Sequence, residues 1–152
     1  MAVLGALLPA ENVLLDADLP GATGLFHAVG ALFERRYGLP ADKVASSLEA
    51  RERIGSTGLG QGVAIPHARV KGLAQAVAAF VRSRVPIDFA APDDKPVSDF
   101  LVLLVPAHAT DEHLQTLADA ATRFDDPAFR SRLRACTDAG AARALFADWV
   151  PA

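Results

Sequence analysis

Along this chain, apolar residues recur at helical spacing in several stretches and collect into short unbroken runs between them. From Gly21 to Tyr37, the residues Leu25, Phe26, Val29, Leu32 and Phe33 fall on one helical face, and Gly38 supplies a C-terminal stop. A second helix is predicted over residues 41–53, burying Val44, Ala45 and Leu48 and ending at the glycine-rich stretch that follows. Residues 13–16 read as a first strand, residues 63–65 as a short strand that aims His67, and residues 76–82 as another. Residues 86–89 read as a separate edge piece, because proline cannot donate to a ladder. The run 100–105 is apolar on both faces, as expected of a central buried strand. After it, Thr110 is the expected N-cap of a helix that turns Leu114, Leu117, Ala118, Ala121 and Phe124 inward. Asp126 and Pro127 open a short helix carrying Phe129 and Leu133, and Asp138 begins the last one, with the stripe Ala142, Leu145, Phe146 and Trp149. This alternation of strands and helices argues for an α/β fold. No repeat, low-complexity segment or linker divides the sequence, so a single domain over residues 1–152 is expected.

Composition narrows the choice of function. At 152 residues the chain is long enough to bury one real core. Its net charge of −3 and lack of any basic cluster give a nucleic-acid partner no electrostatic support. The lone cysteine, Cys136, makes no internal disulfide, suits a reducing cytoplasm, and reads as a small apolar helix residue. Residues 1–8 are apolar, yet the first Lys or Arg is Arg35, so the positive start of a secretory signal is missing. No apolar run approaches the ~18 residues of a membrane span. The expectation is a cytoplasmic protein without membrane insertion, standing apart from any fused transporter.

The candidate chemistry lies in Gly55-Ser-Thr-Gly-Leu-Gly-Gln-Gly-Val-Ala-Ile-Pro-His67. Glycine turns let other groups approach the backbone and expose N–H groups that together form an anion-binding concavity. A histidine delivered by a strand end to its rim is well placed to carry a phosphoryl group. A P-loop is excluded, because no lysine occurs between Lys43 and Lys71; a dinucleotide fingerprint is excluded, because Val63 stands where its last glycine is needed. On spacing alone, an ordinary tight turn before a strand accounts for the run equally well.

The wider stretch Arg51-Glu-Arg-Ile-Gly-Ser-Thr-Gly-Leu-Gly-Gln-Gly-Val-Ala-Ile-Pro-His67 resembles the signature of enzyme IIA domains of the bacterial phosphotransferase system, fructose/mannitol/nitrogen branch. Pro86-Ile-Asp-Phe-Ala-Ala-Pro-Asp-Asp-Lys-Pro-Val97 is similar to a second segment of that family, and Leu103-Leu-Val-Pro106 followed by His113-Leu-Gln-Thr-Leu117 to a third. The opening Leu8-Pro-Ala-Glu-Asn-Val13 resembles the nitrogen-regulatory members in particular. The resemblance implies the mannitol-type IIA fold: a single-domain α/β sandwich whose mixed sheet is flanked by helices on both faces.

It also implies roles for individual residues. His67 matches the phosphoacceptor, phosphorylated on Nε2 while a backbone carbonyl holds Nδ1–H. His113 matches the second active-site histidine; in the first turn of its helix it donates to the phosphoryl group, in neutral or charged form. Arg51 matches an arginine whose fork suits phosphate oxygens. Its alternative role is to complement a helix C-terminus. Gly58, Gly60, Gly62, Ser56 and Thr57 are the phosphate-binding candidates of the loop, with turn stabilisation as the alternative for the two hydroxyls. Arg53 reads as solvated and His27 as structural. Relatives often carry Gly-Lys after the histidine, whereas this chain has Ala68-Arg69, which keeps the charge but restricts the backbone.

A metal site is not expected, since no cysteine or carboxylate completes a ligand spacing around His67, His108 and His113. No cofactor is implied either, the phosphoryl group being carried as covalent phosphohistidine. The implied donor is a phosphorylated HPr-like or NPr-like carrier. The implied targets are regulated proteins such as a sensor kinase or potassium-transport components. A free-standing fructose- or mannitol-type carrier feeding a IIB domain is the first alternative, and a phosphate-independent interaction module the second. Leu59, Val70, Leu73 and Leu114 are candidates for the apolar rim that a donor would touch.

Overall fold

The computed structural model describes residues 3–108 and 110–149, so residues 1, 2, 109 and 150–152 of the expected domain lie outside the described residues. A short helix α1 (Val3–Leu7) and a single 3-10 turn (Ala10–Asn12) lead into β1 (Val13–Ala17). Two helices follow, α2 (Gly21–Tyr37) and α3 (Ala41–Ile54), then the short strands β2 (Gly58–Gly60), β3 (Val63–Ala64) and β4 (His67–Val70). The long strands β5 (Val77–Ile87) and β6 (Val97–Pro106) precede α4 (Asp111–Asp125), α5 (Pro127–Ala135) and α6 (Ala139–Asp148). The predicted helices 21–37 and 41–53 form with the predicted buried faces, and Gly38 ends the first in the left-handed region at φ 70°.

The described residues form one six-stranded sheet in the order β1-β5-β6-β3-β2, with β4 also paired to β6. β1 runs parallel to β5, β5 antiparallel to β6, and β6 parallel to both β3 and β4, so the sheet is mixed. Strand β6 lies at its centre and is apolar on both faces because both are covered. Phe100, Val102 and Leu104 pack beneath α2 and α3, while Leu101, Leu103 and Val105 face the opposite core with Phe124, Phe129 and Phe146. That alternation is the two-residue period of a strand, read here with no solvent face. The expected α/β sandwich with helices on both faces is borne out.

Several local expectations are corrected. The predicted strand 76–82 and the edge piece 86–89 are one strand, β5, whose register with β6 breaks between Arg82 and Ile87. Pro86 sits in that break, where no ladder donor is required. The apolar N-terminus, given no element by its sequence, forms α1 and buries Leu4 and Leu8. The α4 stripe is rotated: Thr116, Ala120 and Phe124 are buried, whereas Leu114 is 54% exposed. His27 lies exposed on α2 rather than within the apolar interior. Cys136 caps the end of α5, and partial burial pushes its thiol up, as befits an inert packing residue.

Helices α2 and α3 touch at Gly30, where a Cβ would stand 2.6 Å from the Ala41 carbonyl oxygen. Gly30→Ala is therefore expected to push the helices apart and cost about 1–3 kcal/mol, the usual range for overpacking. Urea unfolding of the variant beside the parent checks this, and equal midpoints would refute the close approach.

Candidate functional site

Strand alternation decides which side chains of β4 face the chemistry. Ala68 and Val70 point into the core beneath α2 and α3. His67 and Arg69 point the opposite way, and His67, Ala68 and Arg69 together border a recess of about 480 Å³ at the sheet edge with Val105 of β6. Ser47, Ala50, Arg51 and Ile54 of α3 form one wall, and His113, Leu114 and Leu117 of α4 the other. The lining holds two arginines, two histidines and no carboxylate. In a chain of net charge −3, this is a local anion-attracting surface.

His67 is half-buried, and its Nδ1 lies 2.8 Å from the Ile65 carbonyl oxygen. A carbonyl only accepts, so Nδ1 carries the proton and Nε2 keeps its lone pair. His113 is arranged the opposite way. The backbone N–H of Thr110 donates to His113 Nδ1 at 3.0 Å, as part of a capping box at the start of α4. That nitrogen must be the bare one, so the neutral ring carries its proton on Nε2. One recess thus holds an imidazole with a free lone pair and another with a free donor.

Arg51 closes its helix end and also reaches the recess. Its Nη1 donates to the Gly55 carbonyl at 2.9 Å, closing the end of α3, and the side chain also lines the recess. Arg53 points outward and pairs only loosely with Glu49 at 3.8 Å.

The glycine run is used differently from the exposed cradle expected. None of Ser56, Thr57, Gly58, Gly60 or Gly62 lines the recess. Ser56 Oγ donates to the Phe89 carbonyl and accepts from Gly58 N–H. Thr57 gives both its N–H and its hydroxyl to the Glu52 carboxylate, at 2.8 and 2.7 Å. Its carbonyl takes the N–H of Ile65, whose own carbonyl holds His67. The run thus positions the histidine through a relay of hydrogen bonds. Beyond it, Gly60, Gln61 and Gly62 all have positive φ and make the tight turn between β2 and β3. Asp93 clamps that turn, and the Gln61 N–H on its carboxylate is the main reason it is held below the usual carboxylate range. Arg134 donates to the Gln61 carbonyl from the other side.

Of the rim candidates, Leu114 stands at the recess. Leu59 borders a different hollow, Val70 is buried, and Leu73 lies beside α1 and β5. Ile54, 83% exposed, was not foreseen as a rim residue, although its place just before Gly55 at a helix end was a signal for it. Ala68 does not adopt a positive φ, so β4 forms without needing glycine there. His108 is exposed and outside the recess lining. No helix among the described residues is long and apolar enough to cross a membrane.

Comparison with known proteins agrees with this geometry. Residues 6–149 match the family described as the phosphoenolpyruvate-dependent sugar phosphotransferase system, EIIA 2. The nitrogen regulatory protein of Pseudomonas aeruginosa is 42% identical over 108 residues, which span 71% of this chain and 70% of that protein. The crystal structure of nitrogen regulatory protein IIA-Ntr from Neisseria meningitidis matches with a TM-score of 0.90 at 44% identity, covering 95% of this chain and 99% of that one. The crystal structure of IIA mannitol from Escherichia coli, at 20% identity and a TM-score of 0.76, covers 91% of this chain and 98% of its own and shares the fold. The family match over nearly the whole chain, carried on that fold, makes this chain a member of the phosphotransferase system EIIA type-2 family, with nitrogen regulatory proteins among its similar relatives.

Proposed function

We propose that this protein is a regulatory phosphocarrier. It takes a phosphoryl group onto His67 Nε2 from a phosphorylated HPr-like carrier, and its phosphorylation state reports nitrogen, potassium or carbon status to partner proteins. The observation that carries this reading is the pair of opposed tautomers in one recess, a lone pair on His67 and a donor on His113.

Phosphoryl transfer asks a protein mainly for in-line positioning and charge stabilisation. The donor's P–N bond breaks and its electron pair leaves with the donor imidazole, while a P–N bond forms at His67 Nε2. The His67 Nδ1 proton stays against the Ile65 carbonyl, so no proton has to move. His113 Nε2–H and the uncommitted part of the Arg51 fork stabilise the phosphoryl oxygens. Ile54 and Leu114 offer the donor an apolar rim. Resemblance to the nitrogen regulatory proteins supports the regulatory reading over delivery to a sugar-transporter IIB domain.

The test is incubation with phosphoenolpyruvate, enzyme I and an HPr-type carrier, followed by intact mass. One added, acid-labile phosphate is expected; none from either nitrogen- or sugar-type carriers would overturn the reading. His113→Ala is expected to slow acceptance about 10–100-fold without abolishing it, since one donor to the transferred group is lost. The same change should destabilise α4 by about 1 kcal/mol through its cap. A transfer rate equal to the parent's would remove His113 from the mechanism.

A further inference from the structure

Arg69 has no role in the family resemblance beyond keeping a positive charge, yet the fold delivers it to the site. Two residues along a strand is about 7 Å, on the same face, so its Cβ and that of His67 point the same way. Its backbone is fixed by the parallel register of β4 on β6, which sets His67 opposite Leu103 and Arg69 opposite Val105. Among the described residues no carboxylate or carbonyl holds its guanidinium. Elsewhere in the molecule, Arg36, Arg82, Arg84, Arg123 and Arg134 are each bonded to an oxygen of the protein. Arg51, the other arginine of the recess, has one Nη1 hydrogen committed to Gly55.

A phosphoryl group in flight spreads its charge over three equatorial oxygens. His113 offers one N–H, and Arg51 offers a fork that is already partly occupied. An unengaged guanidinium beside the acceptor histidine completes the set, with a fork matched to phosphate oxygens. We propose that Arg69 is a further catalytic residue of this site, its guanidinium binding oxygens of the phosphoryl group during transfer to His67. This rests on the phosphocarrier reading. Because Arg69 is exposed on an edge strand, its substitution leaves the core untouched.

The experiment uses phosphoramidate, a small P–N donor that has no docking surface. In that reaction the donor P–N bond breaks, its electron pair leaves on ammonia, and the new bond forms at His67 Nε2. Parent, Arg69→Gln and Arg69→Lys are compared for the rate of acid-labile phosphate gain by intact mass, with melting curves alongside. Arg69→Gln is expected to accept about tenfold more slowly or worse, because one charge-stabilising donor is lost. Arg69→Lys, which keeps the charge and loses the fork, should fall between the two. Equal rates for Arg69→Gln and parent on phosphoramidate would overturn the assignment, even if transfer from a protein carrier fell. A parent protein that accepts nothing from phosphoramidate or from any carrier would overturn the phosphocarrier reading and this inference together.

Discussion

His67→Ala is expected to end phosphate acceptance altogether while leaving the protein folded. The ring's one hydrogen bond is to the Ile65 carbonyl, and such a bond contributes about 1 kcal/mol. Strand β4 keeps its place through backbone pairing with β6 and through Ala68 and Val70 in the core, none of which involves the imidazole. Against a typical domain stability of about 5–15 kcal/mol that loss is minor. The chemistry has no such reserve. His108 is outside the recess lining, and His113 has its Nδ1 lone pair engaged by Thr110 and a proton on Nε2. Incubation with phosphoenolpyruvate, enzyme I and carrier should add one acid-labile phosphate to the parent and none to the variant. Phosphate on His67→Ala would move the acceptor to another residue, and an unfolded variant would contradict the rim position.

The largest stability loss is expected at Arg82, which ties the sheet to α5. Its Nε donates to Asp99 at 2.8 Å, while its two other nitrogens donate to the carbonyls of Cys136 and Leu133 at 3.0 and 2.6 Å. Asp99 is 1% exposed and the Arg82 side chain 19%, so the pair is largely out of water. Removing one partner strands the other: Arg82→Met leaves the buried Asp99 carboxylate and the Cys136 carbonyl without their donor, while Leu133 keeps the Cys136 N–H, at about 3–5 kcal/mol. The double variant Arg82→Met with Asp99→Leu has no stranded charge and should recover much of that loss. Urea unfolding of the parent, Arg82→Met and the double variant decides it. A double variant as unstable as the single one would show that packing, rather than the unpaired charge, carries the effect.

Much of the scaffold was legible because its signals are local. The 3.6-residue stripe of α2, its left-handed glycine stop and the doubly apolar run of β6 each follow from short-range pattern and solvent exclusion. The α4 stripe misled because period alone selects the largest apolar side chains. Tertiary packing instead buried Thr116 and Ala120 and left Leu114 at the recess, where an apolar group is useful only to something that binds.

The motif around His67 shows the same division within one stretch of chain. Its residues announce phosphoryl chemistry, and the family match agrees, but the task of each cannot be read from order alone. The letters suggest a glycine cradle; folding hands Thr57 to Glu52 and Ile65, Asp93 to the turn, and so turns the run into a support for the histidine. Arg69 reads as a charge kept after the motif's histidine until β4 pairs with β6 and its alternation puts it on the same side as His67.

By itself, then, the order of residues determined the succession of elements, the two buried faces of the central strand and the choice of His67 as the candidate acceptor, because periodicity, caps and motif spacing act over a few neighbouring positions. The neighbours of His67 were decided only when α3, β4 and α4 met. Arg51, His67 and His113 are far apart in the chain, and the orientation of each side chain is set by a hydrogen bond, to Gly55, Ile65 and Thr110 respectively, that exists only once each backbone is fixed in place.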